Sequence, residues 1–129
     1  MTITFAGGLR VDAVQDGIKV ETDQLPSEGG EGAAPPPFFH FLASIGTCAG
    51  LYVLRFCQVR KIPSDEIRLV QRMKRGKTGR LEEVQIEIEV PPEFPEKYHR
   101  ALVAAANACS VKKSIISPPE FTVRTVVVD

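Results

Sequence analysis

The chain has 129 residues and a formal net charge of zero, since 16 acidic side chains balance 16 basic ones. This balance excludes the strongly basic surface of a typical nucleic-acid-binding module, and a content of 43% hydrophobic and 25% charged residues excludes a disordered chain. The length predicts one domain covering residues 1–129. No apolar run approaches the ~18 residues of a membrane span, and the N-terminus carries no signal-peptide pattern. We therefore expect a cytoplasmic protein with neither a membrane nor a nucleic-acid partner.

Short strands are predicted in the first 25 residues, where apolar and polar side chains alternate between turn signals. The dipeptide Asp16-Gly17 lies between two such runs and is a strong hairpin signal. Residues 26–37 are dominated by Gly and Pro, so this segment is predicted to be a loop.

A long helix is predicted from about Phe38 to Arg60. Its apolar residues recur at helical spacing and cover nearly its whole circumference, as they do in a buried helix. Small residues fill its centre, and Gly46 predicts the close approach of another backbone, for which a partner helix is our candidate. Because so small a chain cannot cover this helix fully, we expect a homodimer with the 38–60 helices at its centre.

The second half of the chain predicts a hairpin, a helix and a final strand. Residues 67–73 and 81–90 read as two strands joined by a Gly-containing turn. A second helix is predicted from Pro95 to about Ser114, and a last strand from Phe121 to Val128. The order β-β-β-α-β-β-α-β, with strands mostly linked as hairpins, indicates an α+β protein with antiparallel sheets packed on two main helices.

Charges are segregated around the predicted hairpin, with basic residues in segment 66–80 and glutamates in segment 82–96. A basic patch for RNA is one interpretation. The simpler interpretation, which we favour, is that two antiparallel strands pair opposite charges across their solvent face.

The three cysteines are too scattered for a zinc site or a disulfide-stapled scaffold. Cys48 and Cys57 are nine residues apart on the predicted helix, about half a turn out of phase, so they cannot form a disulfide with each other. Cys48 and Cys109 each lie on an apolar stripe and meet if the two helices pack together. The alternative is that all three are buried small hydrophobic residues. Two histidines without clustered carboxylates predict no metal site, and no cofactor-binding motif is present.

The stretch FFHFLASIGTCAGLYVLRFC, followed about 60 residues later by NACSVKKSI, resembles the OsmC-like superfamily. This superfamily includes osmotically inducible protein C and the organic hydroperoxide resistance proteins. The resemblance implies a thiol peroxidase built as an intertwined homodimer, with active sites at the subunit interface. By motif, Cys48 matches the cysteine that attacks the hydroperoxide and Cys109 the resolving cysteine. Their disulfide would then be reduced by an external dithiol.

In the hydroperoxide-reducing members, an arginine from the N-terminal strands lowers the pKa of the attacking cysteine, and Arg10 is its nearest match here. Those members pair this arginine with a glutamate about ten residues before the first cysteine, in a Pro-Glu-x-Leu motif. This chain has Phe38 at that position, so the acid is missing. Glu28 or Glu31 in the preceding loop is a candidate replacement.

Three functions follow from these features. The first, which we favour, is a cysteine-based peroxidase acting on organic hydroperoxides, with Cys48, Cys109 and Arg10 as catalytic residues and Phe38, Phe41 and Tyr52 contacting the substrate. The second is a protein that binds a small ligand in an aromatic cleft, with incidental cysteines; the cleft would be lined by Phe38, Phe39, Phe41, Tyr52 and Phe56. The third is a thiol-exchange or sulfur-relay activity of the same cysteine pair.

Overall fold

The computed structural model describes residues 1–128 and divides the chain into two compact units, Met1–Ser44 and a second unit that begins at Ile45. The elements in chain order are β1 (Thr2–Gly7), β2 (Arg10–Gln15), β3 (Ile18–Val20), α1 (Pro37–Arg60), β4 (Arg68–Arg75), β5 (Leu81–Glu89), α2 (His99–Asn107) and α3 (Ser110–Ile116). Both sheets are antiparallel, so the predicted α+β class is confirmed. The single domain over residues 1–129 stays a prediction.

The N-terminal unit is a meander in which β2 lies between β1 and β3. Asp16 and Gly17 have φ angles of 51° and 78°, and two consecutive positive φ angles give the tight turn whose twist suits a hairpin. The predicted hairpin is therefore confirmed.

The loop after β3 is organised around Asp23, whose side chain is 1% exposed. Its Oδ1 accepts a hydrogen bond from the amide of Gln24 at 2.7 Å, and its Oδ2 accepts from the amides of Glu31 and Ala33 at 3.2 and 3.0 Å. These amides, chiefly that of Ala33, hold the pKa of Asp23 below its ordinary value. A buried carboxylate thus fixes the Gly- and Pro-rich segment that the sequence shows only as a loop.

In the second unit, α1 packs its C-terminal half into an apolar core. Val53, Phe56 and Cys57 of α1 form a buried cluster with Phe94 and Leu102. By length and by a mean hydropathy of 1.5, α1 also resembles a membrane span. One such helix is weak evidence for a span, because a core helix of a globular unit passes the same test, and 17% of this stretch is buried.

The close approach predicted at Gly46 is made by a side chain. A Cβ atom at Gly46 would stand 2.8 Å from Oε1 of Gln71 on β4, whereas a Cβ atom at Gly50 would meet no atom within 4 Å. Within the chain, the small residue at 46 therefore accommodates a strand residue and not a partner helix.

Strands β4 and β5 pair opposite charges across the sheet. Arg68 is bonded to Glu89, and Arg72 to Glu87, and all four side chains are substantially exposed. This arrangement confirms that the segregated charges of the hairpin neutralise each other between neighbouring strands.

Two predicted elements differ from the structure. The second helix is not continuous to Ser114, because Cys109 has non-helical backbone angles (φ −51°, ψ 128°) and caps a separate helix, α3. The predicted final strand over Phe121–Val128 is wrong, because residues 118–128 form no regular element. Phe121 and Val123 are 83% and 96% exposed. Alternating apolar residues form a strand only when a neighbouring strand accepts their backbone hydrogen bonds, and the two sheets of residues 1–128 do not extend to this segment.

Candidate active site

The break between α2 and α3 brings two thiols together. Cys109 is the N-cap of α3, where its Sγ accepts a hydrogen bond from the amide of Lys112 at 3.4 Å. In this position its thiol lies close enough to that of Cys48 on α1 for each thiol to shift the pKa of the other. The predicted meeting of Cys48 and Cys109 is therefore observed, although through a helix cap and not through two packed helical stripes.

The two thiols have opposite acid–base character. The Cys109 thiol first, then the amide of Val111, and with smaller effects the hydroxyl and amide of Ser110 stabilise the Cys48 thiolate and lower the pKa of Cys48 to about 7, against the opposing effect of burial. Ser110 Oγ lies 3.7 Å from Cys48 Sγ. Burial, and then the contact with Cys48, raises the pKa of Cys109. Cys48 is therefore the more acidic thiol of the pair, and Cys109 is the thiol that keeps its proton at neutral pH.

Accessibility separates the three cysteines further. Cys48 is half-buried, whereas Cys109 is 1% exposed and Cys57 is fully buried, and all three are free thiols. Burial raises the pKa of Cys57, which packs within the apolar core. Because nucleophilic sulfur is thiolate sulfur, Cys48 has the properties of a reactive cysteine and Cys57 those of an inert one.

An apolar pocket of about 370 Å³ adjoins this pair. Side chains of α1, β5, α2 and α3 line it, and Cys109 forms part of its wall while Asn107 and Lys112 supply polar groups. The rest of the lining is aliphatic: Ile45, Ala49, Val84, Ile86, Ile88, Val103, Ala106, Ile115 and Ile116. This pocket differs from the aromatic cleft of the sequence analysis, since Phe56 is only 8% exposed and packs edge-on against Tyr98 in the core.

Arg10 lies on β2 in the N-terminal unit, where its Nη2 is 3.5 Å from Oε1 of Glu21. Lys19 bonds the same carboxylate oxygen at 2.8 Å. Glu21 is therefore the acid that accompanies Arg10, in place of the Glu28 or Glu31 proposed from the sequence. The proximity of Arg10 and Glu21 follows from the register of the β2–β3 hairpin, in which Ala13 pairs with Val20. That register puts Glu21 diagonally across from Arg10.

The predicted aromatic contacts fall in both units. Phe38 and Phe41 belong to the first turns of α1 in the N-terminal unit, with ring centroids 5.2 Å apart and 42% and 37% exposure. Tyr52 is a partly buried residue of α1 in the second unit. The roles of these three residues and of Arg10 stay predictions. Among residues 1–128 no cluster of His, Cys, Asp or Glu side chains could hold a metal ion.

This fold, with a thiol pair between a central helix and a capped short helix, agrees with the class indicated by the sequence motifs. The profile of the OsmC-like protein family matches residues 29–124, and the chain therefore belongs to the OsmC-like family. A comparison with curated proteins finds no match.

Several solved structures share the fold. A protein of Psychrobacter arcticus 273-4, described as an osmotic stress induced and detoxification response protein, is 24% identical with a TM-score of 0.69, over 88% of this chain and 85% of that one. An OsmC-like protein of Vibrio cholerae is 14% identical with a TM-score of 0.58, over 83% and 79% of the two chains. A Legionella pneumophila protein, described as organic hydroperoxide resistance protein OsmC and as a predicted redox protein, is 20% identical with a TM-score of 0.55, over 88% and 85%.

Proposed function

We propose that the protein is a thiol peroxidase that reduces organic hydroperoxides, with Cys48 as the attacking and Cys109 as the resolving cysteine. The observation that carries this proposal is the contact between a half-buried thiol whose pKa is about 7 and a second thiol that retains its proton. At pH 7 a thiol of that pKa is about half ionised, against about 3% for a free cysteine of pKa ~8.5.

The chemistry uses the two sulfurs in turn. The Cys48 thiolate attacks an oxygen of the hydroperoxide, the O–O bond breaks, and the alcohol leaves after taking up a proton while Cys48 becomes a sulfenic acid. The sulfur of Cys109 then attacks that of Cys48, water leaves, and a disulfide joins the two residues. An external dithiol returns both to thiols and is itself oxidised to a disulfide.

Arg10 and the aromatic residues enter the proposal from the family resemblance. Arg10 would favour the Cys48 thiolate by its charge, while its guanidinium pairs with Glu21, which also pairs with Lys19. Phe38, Phe41 and Tyr52 would contact the organic part of the hydroperoxide. The absence of the family's usual glutamate at position 38 then matters less, because Glu21, the residue after β3, supplies a carboxylate to Arg10.

A homodimer completes the proposal. In the single chain, α1 leaves Leu51 and Leu54 43% and 39% exposed, and the apolar segment after α3 is also uncovered. A second copy that covers these surfaces would remove exposed apolar area of the kind that marks an interface. We also propose a cytoplasmic location, since three free thiols suit a reducing compartment.

A second candidate function is binding of a small apolar ligand without chemistry. The aliphatic pocket favours it, because pockets of this volume with a few polar groups are typical of small-molecule sites. The two functions differ in what they require of Cys48.

The experiment is consumption of tert-butyl hydroperoxide in the presence and absence of dithiothreitol. The protein and a Cys57→Ala control should consume the hydroperoxide at equal rates, and only with dithiol beyond the first turnover. Cys48→Ser should reduce consumption to the uncatalysed background. A Cys48→Ser variant as active as the parent, or a parent without activity, would contradict the peroxidase proposal.

A further inference from the structure

The hydroxyl group of Ser110 lies beside the proposed nucleophile and is also open to water. Its Oγ is 3.7 Å from Cys48 Sγ, close enough for a hydrogen bond to sulfur. Ser110 is the first residue of α3 and is exposed, whereas the neighbouring Cys109 is buried. A serine hydroxyl donates one proton, accepts others, and rotates to suit its partners. Ser110 can therefore pass a proton between water and a reactant held at Cys48.

Attack on a hydroperoxide needs such a proton. The Cys48 thiolate forms a bond to the hydroxyl oxygen of the hydroperoxide, and the O–O bond breaks with its electron pair on the other oxygen. The alkoxide that results is a strong base, so an acid placed beside it lowers the barrier by giving it a proton. The thiolate has no proton of its own to give.

Four groups stabilise the Cys48 thiolate, and the Ser110 hydroxyl is the best suited of them to supply this proton. The two backbone amides, of Ser110 and Val111, keep their protons at neutral pH. The Cys109 thiol is buried, and burial raises its pKa, so loss of its proton leaves a charge that water does not solvate. Ser110 carries no charge at any stage, because water replaces its proton as the proton is given.

We propose that Ser110 is a catalytic residue, whose hydroxyl passes a proton from water to the oxygen that leaves when Cys48 attacks a hydroperoxide. This inference rests on the proposed function, because it concerns the first step of the peroxidase reaction.

The step is balanced as follows. A bond forms between Cys48 Sγ and the hydroxyl oxygen of the hydroperoxide, the O–O bond breaks, and the leaving alkoxide takes the proton of Ser110 Oγ. A water molecule at the surface returns a proton to Ser110 Oγ and becomes hydroxide. The products are the Cys48 sulfenic acid, the alcohol and hydroxide; the sulfur is oxidised by two electrons and the hydroperoxide is reduced by two.

The test compares a leaving group that needs a proton with two that do not. tert-Butyl hydroperoxide releases an alkoxide, whereas peracetic acid releases acetate and iodoacetamide releases iodide, and both of these are stable as anions. The rate of reaction of Cys48 with each reagent is measured in single turnovers of the full chain at pH 8, with peptide mapping. Each rate is divided by the ionised fraction of Cys48, taken from the pH dependence of alkylation, so that a change in pKa does not enter the comparison.

Ser110→Ala should slow the reaction with tert-butyl hydroperoxide roughly tenfold and leave the other two rates nearly unchanged. This loss is smaller than the ~10²–10⁴-fold contribution of a dedicated general acid, because a water molecule partly takes the place of the hydroxyl. Ser110→Thr keeps a hydroxyl and should retain the parent rate. Ser114→Ala is the matched control, since it removes another exposed hydroxyl of α3, one that donates to the Ser110 carbonyl and not to sulfur.

Two results would overturn the inference. An equal loss with all three reagents in Ser110→Ala would show that the variant displaces Cys48 and withholds no proton. An unchanged rate with tert-butyl hydroperoxide would show that the proton comes from another group. The proposed function fails in a different way: if Cys48 of the parent reacts with tert-butyl hydroperoxide no faster than the thiolate of free cysteine, both proposals are wrong.

Discussion

Backbone amides stabilise an anion in each unit of the protein: the carboxylate of Asp23 in the first and the thiolate of Cys48 in the second. The first anion stabilises a loop, and the second is the proposed nucleophile. In the N-terminal unit the carboxylate of Asp23 accepts from the amides of Gln24, Glu31 and Ala33. In the second unit two amides of α3, the thiol of Cys109 and the hydroxyl of Ser110 stabilise the Cys48 thiolate. In both cases the donors lower the pKa of the group.

The difference lies in exposure and in the origin of the donors. Asp23 is 1% exposed and its donors belong to one short loop, so its negative charge holds that loop in place. Cys48 is half-buried, and one of its donors is itself a thiol that can form a bond to it. Stabilisation by backbone amides therefore fixes a loop where the anion is buried, and favours a nucleophilic thiolate where the anion is accessible to a reactant.

The largest expected effect comes from Cys109, the main cause of the low pKa of Cys48. Cys109→Ala removes both the donor and the resolving sulfur, so disulfide formation should be lost and the pKa of Cys48 should rise. Cys109→Ser is the matched variant, because a serine hydroxyl still donates and is a favoured N-cap for α3. It should lose the disulfide but keep the pKa of Cys48 low. Equal pKa values in the two variants, measured by the pH dependence of alkylation, would contradict this account.

Asp23 should affect stability and not chemistry. Asp23→Asn exchanges one acceptor oxygen for an NH₂ group that faces amide donors, so the melting temperature should fall by several degrees near pH 7. Because the folded-state pKa of Asp23 lies below its ordinary value, the carboxylate stabilises the fold above about pH 4. This contribution is lost as the pH falls through the lowered pKa, so the melting temperatures of the parent protein and of Asp23→Asn should converge in acid. An equal difference in melting temperature at pH 7 and at pH 2 would argue against a stabilising role of the ionised Asp23 carboxylate.

Arg10 tests whether the charges of the N-terminal sheet assist the thiol. If Arg10 acts on Cys48 as the family resemblance implies, Arg10→Ala should slow alkylation of Cys48 at neutral pH, and Arg10→Lys should largely restore it. Glu21→Gln should act in the same direction by releasing the guanidinium from its partner at 3.5 Å. Unchanged alkylation in all three variants would leave the donors of the second unit as the sole activators.

The smallest effect is expected from Ser110→Ala, which removes one hydroxyl and keeps the amides of α3. Because this hydroxyl ranks behind the Cys109 thiol among the donors, the pKa of Cys48 should rise less than in Cys109→Ala. Ser114→Ala is the matched control, since its hydroxyl donates to the Ser110 carbonyl and not to sulfur. A larger effect of Ser110→Ala than of Cys109→Ala would reverse the assignment of the main donor.

Sequence patterns predicted the elements that local chemistry determines. Asp16-Gly17 predicted the first hairpin, the apolar circumference of residues 38–60 predicted α1, and the segregated charges of segments 66–80 and 82–96 predicted the ion pairs between β4 and β5. The patterns also brought Cys48 and Cys109 together, although Cys109 was expected within a helix. The capping role of Cys109 depends on a hydrogen bond that the Lys112 amide donates to its sulfur, and hydrophobic periodicity does not reveal such a bond.

The features that sequence missed depend on partners distant along the chain. Phe121–Val128 alternates like a strand, yet a strand needs an edge to pair with, and sequence alone does not supply one. Asp23 gains its importance from amides eight and ten residues away, and the partner of Arg10 follows from hairpin register. In each case the decisive group is a backbone donor or an opposing residue that no motif marks.

The groups around Cys48 should make it substantially ionised near neutral pH. The direct measurement is the rate of Cys48 alkylation by iodoacetamide between pH 5 and 10 in the reduced protein, with peptide mapping to separate the three cysteines. The account predicts a single titration of Cys48 with a midpoint of about 7, and little labelling of buried Cys57. A midpoint at or above the free value of ~8.5 would contradict it.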